Sequence, residues 1–250
     1  MKRLVSIITP CYNSSVFIEQ TIQSVQAQTY TNWEMLIVDD CSKDNSADII
    51  KTYAKEDKRI KYLKTEKPSG SPVKPRNIGI ENSNGRYIAF LDSDDVWLPN
   101  KLEEQLYLFD DKKVAVVYSN YEKMNENEER DNRIIKAPSE TDYQNLLKGN
   151  VIGNLTGIYD TEKVGKVYCP NIHHEDYVLW LSILKQGYKA INTNSVTALY
   201  RVRDNSVSSN KLKVLSWQWH ILRNIENLPL HRTMYYFVHY AVKGFLKAIK

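Results

Sequence analysis

Short apolar runs alternate with segments of helical spacing over the first half of the chain. Five such runs begin near Leu4, Trp33, Ile60, Tyr87 and Val114, at intervals of 29, 27, 27 and 27 residues. Each interval has the length of one strand plus one helix. The runs are apolar on both faces, which is typical of parallel strands covered by helices on each side. We therefore predict an open α/β sheet over roughly residues 1–120.

The segments between the runs carry apolar residues at helical spacing. Four helices are predicted, and the residues that mark them are Ile18, Ile22 and Val25; Ile49, Ile50 and Tyr53; the stretch from Lys74 to Asn84-Gly85; and Leu98, Leu102, Leu106 and Phe109. Past Tyr121 the charged stretch 124–133 indicates a solvated loop or hairpin tip. A further helix is marked by Tyr177, Trp180, Leu181 and Leu184, and the last forty residues look helical with a break at Leu228-Pro229.

This pattern predicts three parts, an α/β half at 1–120, a second half of the same domain at 121–210 and a helical tail at 211–250. The 34 basic and 30 acidic side chains leave a net charge of only +4, which does not indicate a nucleic-acid binder. Three scattered cysteines are too few for a disulfide framework or a four-thiolate zinc site. Because no apolar stretch reaches the length of a signal-peptide core or a membrane span, we expect a cytoplasmic chain.

Acidic residues are concentrated where the second and fourth apolar runs end. Asp39-Asp40 and Asp44 follow the second run, and Asp92-Ser93-Asp94-Asp95 follows the fourth. Ligands of open α/β sheets bind at the carboxyl ends of the strands, and such a cluster repels itself unless a cation or hydrogen-bond donors are present. Carboxylates suit Mg²⁺ or Mn²⁺, which in turn bridge diphosphates. The alternative for Asp39, Asp40 and Asp44 is that they cap turns and the next helix.

Two common phosphate-binding motifs are missing. The chain has neither G-x-x-x-x-G-K-[ST] nor a G-x-G-x-x-G after the first strand, so a diphosphate would depend on metal and basic groups. Lys74 and Arg76 lie near the start of the third predicted helix, where the helix dipole also favours anions. Their alternative is that of solvated surface charges.

Four motifs in this order resemble glycosyltransferase family 2 of the GT-A fold. They are VSIITPCYN, EMLIVDDCSKDNS, PRNIGIENSNGRYIAFLDSDD and HHEDYVLW. The resemblance is dense over residues 3–100, looser to about 210, and fades beyond. It implies a GT-A sheet with C-terminal helices, a donor half at 1–120 and an acceptor half at 121–210.

The resemblance also implies roles for single residues. It places Pro10 and Tyr12 in the loop that holds the nucleotide base, Asp40 on the base imide, and Asp92-Ser93-Asp94 in the D-x-D motif. Asp94 would bind Mn²⁺ or Mg²⁺, and Asp92 would lie near the ribose or the water shell of the metal. Asp95 and Glu175 would lie near the donor, and Asp176 would be the base that deprotonates the acceptor hydroxyl.

The chain departs from relatives in two places. Arg203 stands where they often carry histidine, so Arg201 and Arg203 are expected only as candidate diphosphate contacts. The Q-x-x-R-W motif of processive synthases is absent, which favours addition of one sugar per event.

The tail has a pattern of its own. On a helix, Arg232, His239, Lys243, Lys247 and Lys250 share one face, and Val238, Ala241, Val242, Phe245 and Ile249 share another. Such a helix can bind an anionic membrane surface through residues 231–250, and it can equally pack on its own domain or in a homo-oligomer.

We therefore expect a metal-dependent, inverting glycosyltransferase that moves a sugar from a nucleotide-sugar donor, in the first place a UDP-sugar, to a glycan or lipid-linked glycan hydroxyl. The expected pathway is capsule or other cell-surface polysaccharide synthesis, with the enzyme peripheral on the inner face of the membrane. Two alternatives stay open, an aspartyl-phosphate phosphatase with Asp92 as nucleophile and a non-catalytic nucleotide-sugar-binding module.

Overall fold

The computed structural model describes residues 3–203 and 211–249, without the side chains of 211–213 and 245–249. The strands are β1 Val5–Cys11, β2 Trp33–Asp39, β3 Ile60–Lys64, β4 Tyr87–Phe90, β5 Val96–Trp97, β6 Val114–Met124, β7 Arg130–Ile135, β8 Glu140–Thr141, β9 Ile158–Asp160 and β10 Lys189–Arg201. The α-helices are α1 Ile18–Gln26, α2 Ser46–Glu56, α3 Val73–Asn82, α4 Lys101–Leu106, α5 Tyr143–Leu146, α6 Thr161–Val164, α7 Glu175–Leu184, α8 Lys211–His220 and α9 Leu230–Ile249.

All five predicted apolar runs form strands of one sheet, with the order β3-β2-β1-β4-β9-β6-β10-β5. Strands β3, β2, β1 and β4 are mutually parallel, as are β6 and β10, whereas β9 is antiparallel to both β4 and β6. The mixed, mostly parallel sheet with C-terminal helices confirms the predicted fold class. Of the solvated loop or hairpin tip predicted at 124–133, residues 125–129 join β6 to β7, whereas 130–133 belong to β7 and Met124 ends β6.

The sheet differs from the sequence-based expectation in one respect. The fifth run, β6, does not continue the first four, because β9 from the second half of the chain lies between β4 and β6. The residues of β9 gave only mixed signals, since a three-residue strand is too short for a readable period. The sheet therefore extends from the first half of the chain into the second without interruption.

Helices cover both faces of the central strands. Every residue of β1 and β2 is buried, and successive residues of β1 enter different cores, with Ile8 in one and Ile7 in the other. Helix α3 packs so closely on β1 that a Cβ on Gly79 would lie 2.5 Å from Ile8 Cγ2. This close approach fixes α3, and with it Arg76, beside the carboxyl end of the sheet.

The C-terminal segment is helical, as predicted. Helix α8 continues into a π-helical turn at Ile221–Ile225, and α9 begins at Leu230 after the break at Leu228-Pro229. No helix within residues 3–203 and 211–249 is long and apolar enough to span a bilayer.

Candidate active site

The loops after β1 and β2 are joined to each other. Cys11 and Asp39 are register partners at the ends of these parallel strands. The Asn13 backbone N–H donates to Ser42 Oγ over 3.0 Å, and the Lys43 N–H donates to Asn13 Oδ1 over 2.8 Å. Pro10 is buried in β1, whereas Tyr12 is 51% exposed. The two loops thus present one aromatic side chain to solvent at the carboxyl edge of the sheet.

The acids that follow β2 are all held by donors of the protein. Asp40 is buried and accepts from Thr65 Oγ1 at 2.8 Å, from Ser69 Oγ at 2.8 Å and from the Ser69 N–H at 3.0 and 2.9 Å. Asp39 accepts from the Ser42 N–H and the Tyr62 hydroxyl. A base imide that binds Asp40 would therefore share its carboxylate with Ser69 and Thr65.

Asp44 belongs to the same group. Its carboxylate accepts from the Ser15 N–H at 2.9 Å and from the N–H and hydroxyl of Ser46 at 3.0 and 2.6 Å. Burial by itself would raise the pKa of Asp44, but these hydrogen bonds outweigh it and lower the pKa to about 2. Asp44 therefore fastens α2 to the loop after β1, as its capping alternative anticipates.

The acids that follow β4 have fewer donors. Burial raises the pKa of Asp94, the charge of Asp92 adds to the rise, and Arg203 opposes it. Asp95 is buried, and burial together with Asp94 and Asp92 raises its pKa well above the ordinary value. Ser93 Oγ lies 2.7 Å from Ser14 Oγ, which ties this loop to the loop after β1. The D-x-D segment therefore carries negative charge that the protein leaves partly uncompensated.

Arg76 connects this segment to the second half of the chain. Its buried guanidinium donates to Asp92 Oδ1 over 2.6 Å and to Glu175 Oε1, and its Nε has no hydrogen-bond partner. Burial would lower the pKa of Arg76, but the two carboxylates raise it instead. Sequence reasoning assigned Arg76 to phosphate binding and did not anticipate this double ion pair.

Lys74 lies apart from these ion pairs. It lines a cavity of about 620 Å³ together with Lys67, Ser69, Ser71 and other residues of α3 and the preceding loop. Ser69 is also the main donor to Asp40. The structure thus separates the two basic residues that the sequence grouped, with Lys74 near the Asp40 loop and Arg76 at the acids.

Glu175-Asp176 begins α7. His174, at a left-handed φ of 60°, occupies the N-cap position, so Asp176 lies inside the first turn and is not the N-cap. Asn150 Nδ2 donates to Asp176 Oδ2 over 3.2 Å. Burial, reinforced by the charge of Glu175 and opposed by Arg76, raises the pKa of Asp176 to about 6. A carboxylate with that pKa can accept a proton near neutral pH.

The two arginines after β10 differ in their contacts. Arg201 is buried, and its guanidinium donates to the carbonyl oxygens of Asp94, Asn125 and Glu126 and to Gln20. Its backbone N–H donates to Asp95. Arg203 is half exposed and reaches Asp94 Oδ2 at 3.4 Å. Arg203 is therefore better placed than Arg201 to meet an anion beside Asp94.

Two residues near Asp176 carried no motif in the sequence. Asn150 lies in a loop, and Trp217 of α8 stacks on His173 with ring centroids 4.3 Å apart. His173 and Trp217 line a cavity of about 170 Å³ with Ile172, His220 and Ile221. The only available signals were an isolated amide and an aromatic residue in a helix, which by themselves are ordinary.

The donor set for a metal is small. Within the described ranges, no group of three or more His, Cys, Asp or Glu side chains could hold a metal ion. Asp92 and Asp94 nevertheless lie close enough to interact, since burial and then the charge of Asp92 raise the pKa of Asp94. Each of the two carboxylates has a cationic partner, Arg76 for Asp92 and Arg203 for Asp94. Mg²⁺ commonly binds through one or two carboxylates and completes its shell with substrate phosphates and water. The residues present therefore fit a divalent ion that arrives with a diphosphate.

Comparisons with known proteins identify the family and the fold. Residues 6–163 match the model of glycosyl transferase family 2. The Escherichia coli protein named UDP-Glc:alpha-D-GlcNAc-diphosphoundecaprenol beta-1,3-glucosyltransferase WfgD is 42% identical over 245 residues, which cover 98% of this chain and 94% of that protein.

Two solved structures share the fold. Staphylococcus aureus TarS 1-349 in complex with UDP-GlcNAc superposes with a TM-score of 0.72 at 22% identity, over 96% of this chain and 72% of that one. Mannosyltransferase PcManGT from Pyrobaculum calidifontis, in complex with GDP-Man and Mn²⁺, gives 0.70 at 15% identity, over 97% and 74%. The chain belongs to glycosyl transferase family 2 and is a glycosyltransferase with a GT-A fold.

Proposed function

We propose that this glycosyltransferase uses a divalent metal ion to move one sugar from a UDP-sugar to a hydroxyl of a lipid-linked glycan, with inversion at the anomeric carbon. The observation that carries the proposal is the chain of ion pairs from Asp92 through Arg76 to Glu175. It joins the loop with the candidate metal ligand Asp94 to the helix turn with the candidate base Asp176. These ion pairs hold the two segments side by side, which supports donor binding and proton transfer at one site. The family assignment replaces the phosphatase and binding-module alternatives.

The donor would bind along the carboxyl edge of β1, β2 and β4. Tyr12 is exposed for stacking on the base, and the buried Asp40 lies at the adjacent strand end. Arg203 and Lys74 supply positive charge on the two sides of this edge, near Asp94 and near the Asp40 loop. UDP-Glc in the name of WfgD and UDP-GlcNAc in the TarS complex favour a uridine nucleotide.

Asp94 would hold the metal ion, with Asp92 beside it. When bound, Mn²⁺ or Mg²⁺ would neutralise the negative charge that develops on the departing diphosphate. Burial and then the charge of Asp92 raise the pKa of Asp94, and a cation near this carboxyl would offset both effects. Asp95, whose N–H···O contact comes from Arg201, would hold the loop in shape.

Asp176 would act on the acceptor. Its carboxylate takes the proton of the attacking hydroxyl, whose oxygen forms the bond to the anomeric carbon while the bond from that carbon to the UDP oxygen breaks. UDP leaves with the bonding electron pair. Asn150 orients Asp176 by its 3.2 Å hydrogen bond. Burial prepares the group, because the pKa of about 6 combines an ionised state at neutral pH with appreciable basicity.

The acceptor would be a glycan carried on a lipid diphosphate, in a pathway that builds cell-surface polysaccharide at the inner face of the membrane. The name of WfgD gives such an acceptor, alpha-D-GlcNAc-diphosphoundecaprenol. His173 lies just before the first turn of α7 and stacks on Trp217 of α8, and this pair would offer a flat aromatic surface to a sugar ring. An aromatic ring can pack on the apolar face of a sugar, while nearby carboxylates bind the hydroxyls of that sugar.

Calorimetric titration of UDP in the presence and absence of Mn²⁺ tests the proposal. We expect wild-type binding to depend on Mn²⁺, and we expect Asp94→Ala to lose at least about tenfold in affinity because a charge-assisted ligand is removed. Asp110→Ala, an acid outside the site, is the matched control and should bind like the wild type. Equal affinity with and without Mn²⁺ in the wild type would contradict metal dependence.

A further inference from the structure

Helix α9 exposes an apolar stripe. Five of the twelve exposed large apolar or aromatic side chains among the described residues lie on this helix. Leu230, Met234, Val238 and Val242 recur at every fourth position, with exposed fractions of 59, 47, 51 and 50%, and Tyr235 adjoins them. Residues four apart stack along one face of a helix, so these side chains form a continuous strip.

The stripe is distinct from the face that holds α9 on the domain. Thr233 and Tyr236 are buried, Phe237 packs edge-on against Trp219 at 5.2 Å, and the Tyr236 hydroxyl donates to Gln144. The domain therefore already accounts for one apolar face of α9. Packing on the chain's own core does not explain the second one.

Charge identifies what covers the stripe. Helix α9 contains no acidic residue, and the exposed basic side chain Lys243 follows Val242 at the end of the stripe, with the exposed His231 and His239 on the same helix. Arg232 lies nearer the domain, where its guanidinium donates to Gln144. A second copy docked through the same helix would bring like charges together. A membrane surface with anionic headgroups matches both features, since it accepts apolar side chains and attracts basic ones.

Helix α9 lies close to the loop that holds the candidate base. The Tyr240 ring lies against Gly149, where an added Cβ would be 3.0 Å away. The next residue, Asn150, donates to Asp176. Helix α9 thus contacts the residue that immediately precedes Asn150, and Asn150 is hydrogen-bonded to the candidate base. A membrane bound to the stripe would therefore lie near the loop that holds the candidate base.

We propose that the exposed stripe Leu230, Met234, Val238 and Val242, with Lys243 at its end, docks the enzyme on an anionic lipid surface and so brings Asp176 to an acceptor anchored in that surface. The inference rests on the lipid-linked acceptor of the proposed function. The sequence pattern grouped Val238 and Val242 with Phe245 and Ile249, whose side chains lie outside those that the structure describes, as do Lys247 and Lys250.

Co-sedimentation of the full chain with vesicles tests docking without any acceptor. We expect binding to vesicles of phosphatidylcholine with phosphatidylglycerol and weak binding to phosphatidylcholine alone. The double variant Met234→Gln/Val238→Gln should bind at least about tenfold more weakly, because two apolar side chains no longer enter the lipid. Lys243→Gln should weaken binding by about fivefold, and only for anionic vesicles.

Ile134→Gln is the matched control, since Ile134 is an exposed aliphatic residue on β7, away from α9. It should bind vesicles like the wild type. The α9 double variant should keep Mn²⁺-dependent UDP binding and turnover with a short-chain, water-soluble acceptor, while losing turnover with an acceptor embedded in vesicles. If the wild type itself showed no Mn²⁺-dependent UDP binding, that result would instead count against the proposed function.

Three outcomes overturn the inference. The first is that the wild type co-sediments with neither kind of vesicle. The second is that the α9 double variant binds vesicles as well as the wild type does, which would place the contact elsewhere. The third is that sedimentation velocity shows a wild-type dimer that the double variant converts to a monomer, which would identify a second copy as the occupant.

Discussion

The acids after β2 and the acids of the candidate site, Asp94 and Asp176, are the same chemical group but differ in how many hydrogen-bond donors surround them. Asp40 and Asp44 accept hydrogen bonds from neighbouring serines and threonines, and the pKa of Asp44 falls to about 2. Asp94 and Asp176 have few donors, and burial raises the pKa of both, to about 6 for Asp176. Carboxylates that accept several hydrogen bonds from the protein hold loops together. Carboxylates with few such donors are available to bind a metal ion or a proton.

The largest expected effect is on Asp176. Asp176→Asn keeps the shape of the side chain but cannot accept the proton, so we expect kcat to fall roughly 10²- to 10⁴-fold with UDP affinity nearly unchanged. Steady-state kinetics and calorimetry on the same preparation measure the two quantities. Asp48→Asn, an exposed acid on α2, is the control. A variant that keeps more than half of wild-type turnover would remove Asp176 from the base role.

Arg76 links two acids of the candidate site, Asp92 and Glu175, and its loss should be costly. Arg76→Met leaves Asp92 and Glu175 without their shared cation, so we expect the free energy of unfolding in urea to fall by about 3 kcal/mol. Lys74→Met, two residues away on the same helix and outside the ion pairs, should change it by less than about 0.5 kcal/mol. Equal losses in the two variants would show that the bridge contributes no special stability.

The pKa of Asp176 predicts the acid limb of the pH profile. Because the base must be ionised, kcat/KM should be constant above about pH 7 and fall about tenfold per unit below about pH 6. Asn150→Ala removes a hydrogen bond that favours the ionised form, so the midpoint should move up by about half a unit. A limb that begins near pH 4 would mean that burial does not perturb this carboxyl.

The smallest effect belongs to Asp44. Asp44→Ala should lower the free energy of unfolding by about 1 kcal/mol through loss of its loop and helix contacts. Since folding lowers this pKa, the stabilisation is present above the unfolded value near 4 and is lost as pH falls towards 2. Mn²⁺-dependent UDP binding should change by less than about threefold. Abolished binding would put Asp44 among the ligand-binding acids.

Several features could be predicted from local sequence. The five apolar runs, the helix of Tyr177 and Trp180, and the break at Leu228-Pro229 were all predicted, because periodicity reports which side of an element is buried. The acids of Asp92-Ser93-Asp94-Asp95 stood out because acids at the end of a buried strand are unusual, whereas Glu175-Asp176 was singled out by the family resemblance and its role stays a prediction. The register of β1 against β2, which places Cys11 beside Asp39, came from the structure.

Other features were decided only by contacts between distant parts of the chain. Strand β9 lies between β4 and β6 in the sheet. Arg76 forms ion pairs with Asp92 and Glu175, although the sequence suggested a phosphate contact. Asn150 donates a hydrogen bond to Asp176. In α9, packing of Thr233 and Tyr236 against the domain determines that Met234 and Val238 face outward. A sequence pattern gives each residue's tendency to be buried or charged, but its partner depends on which element folding brings alongside.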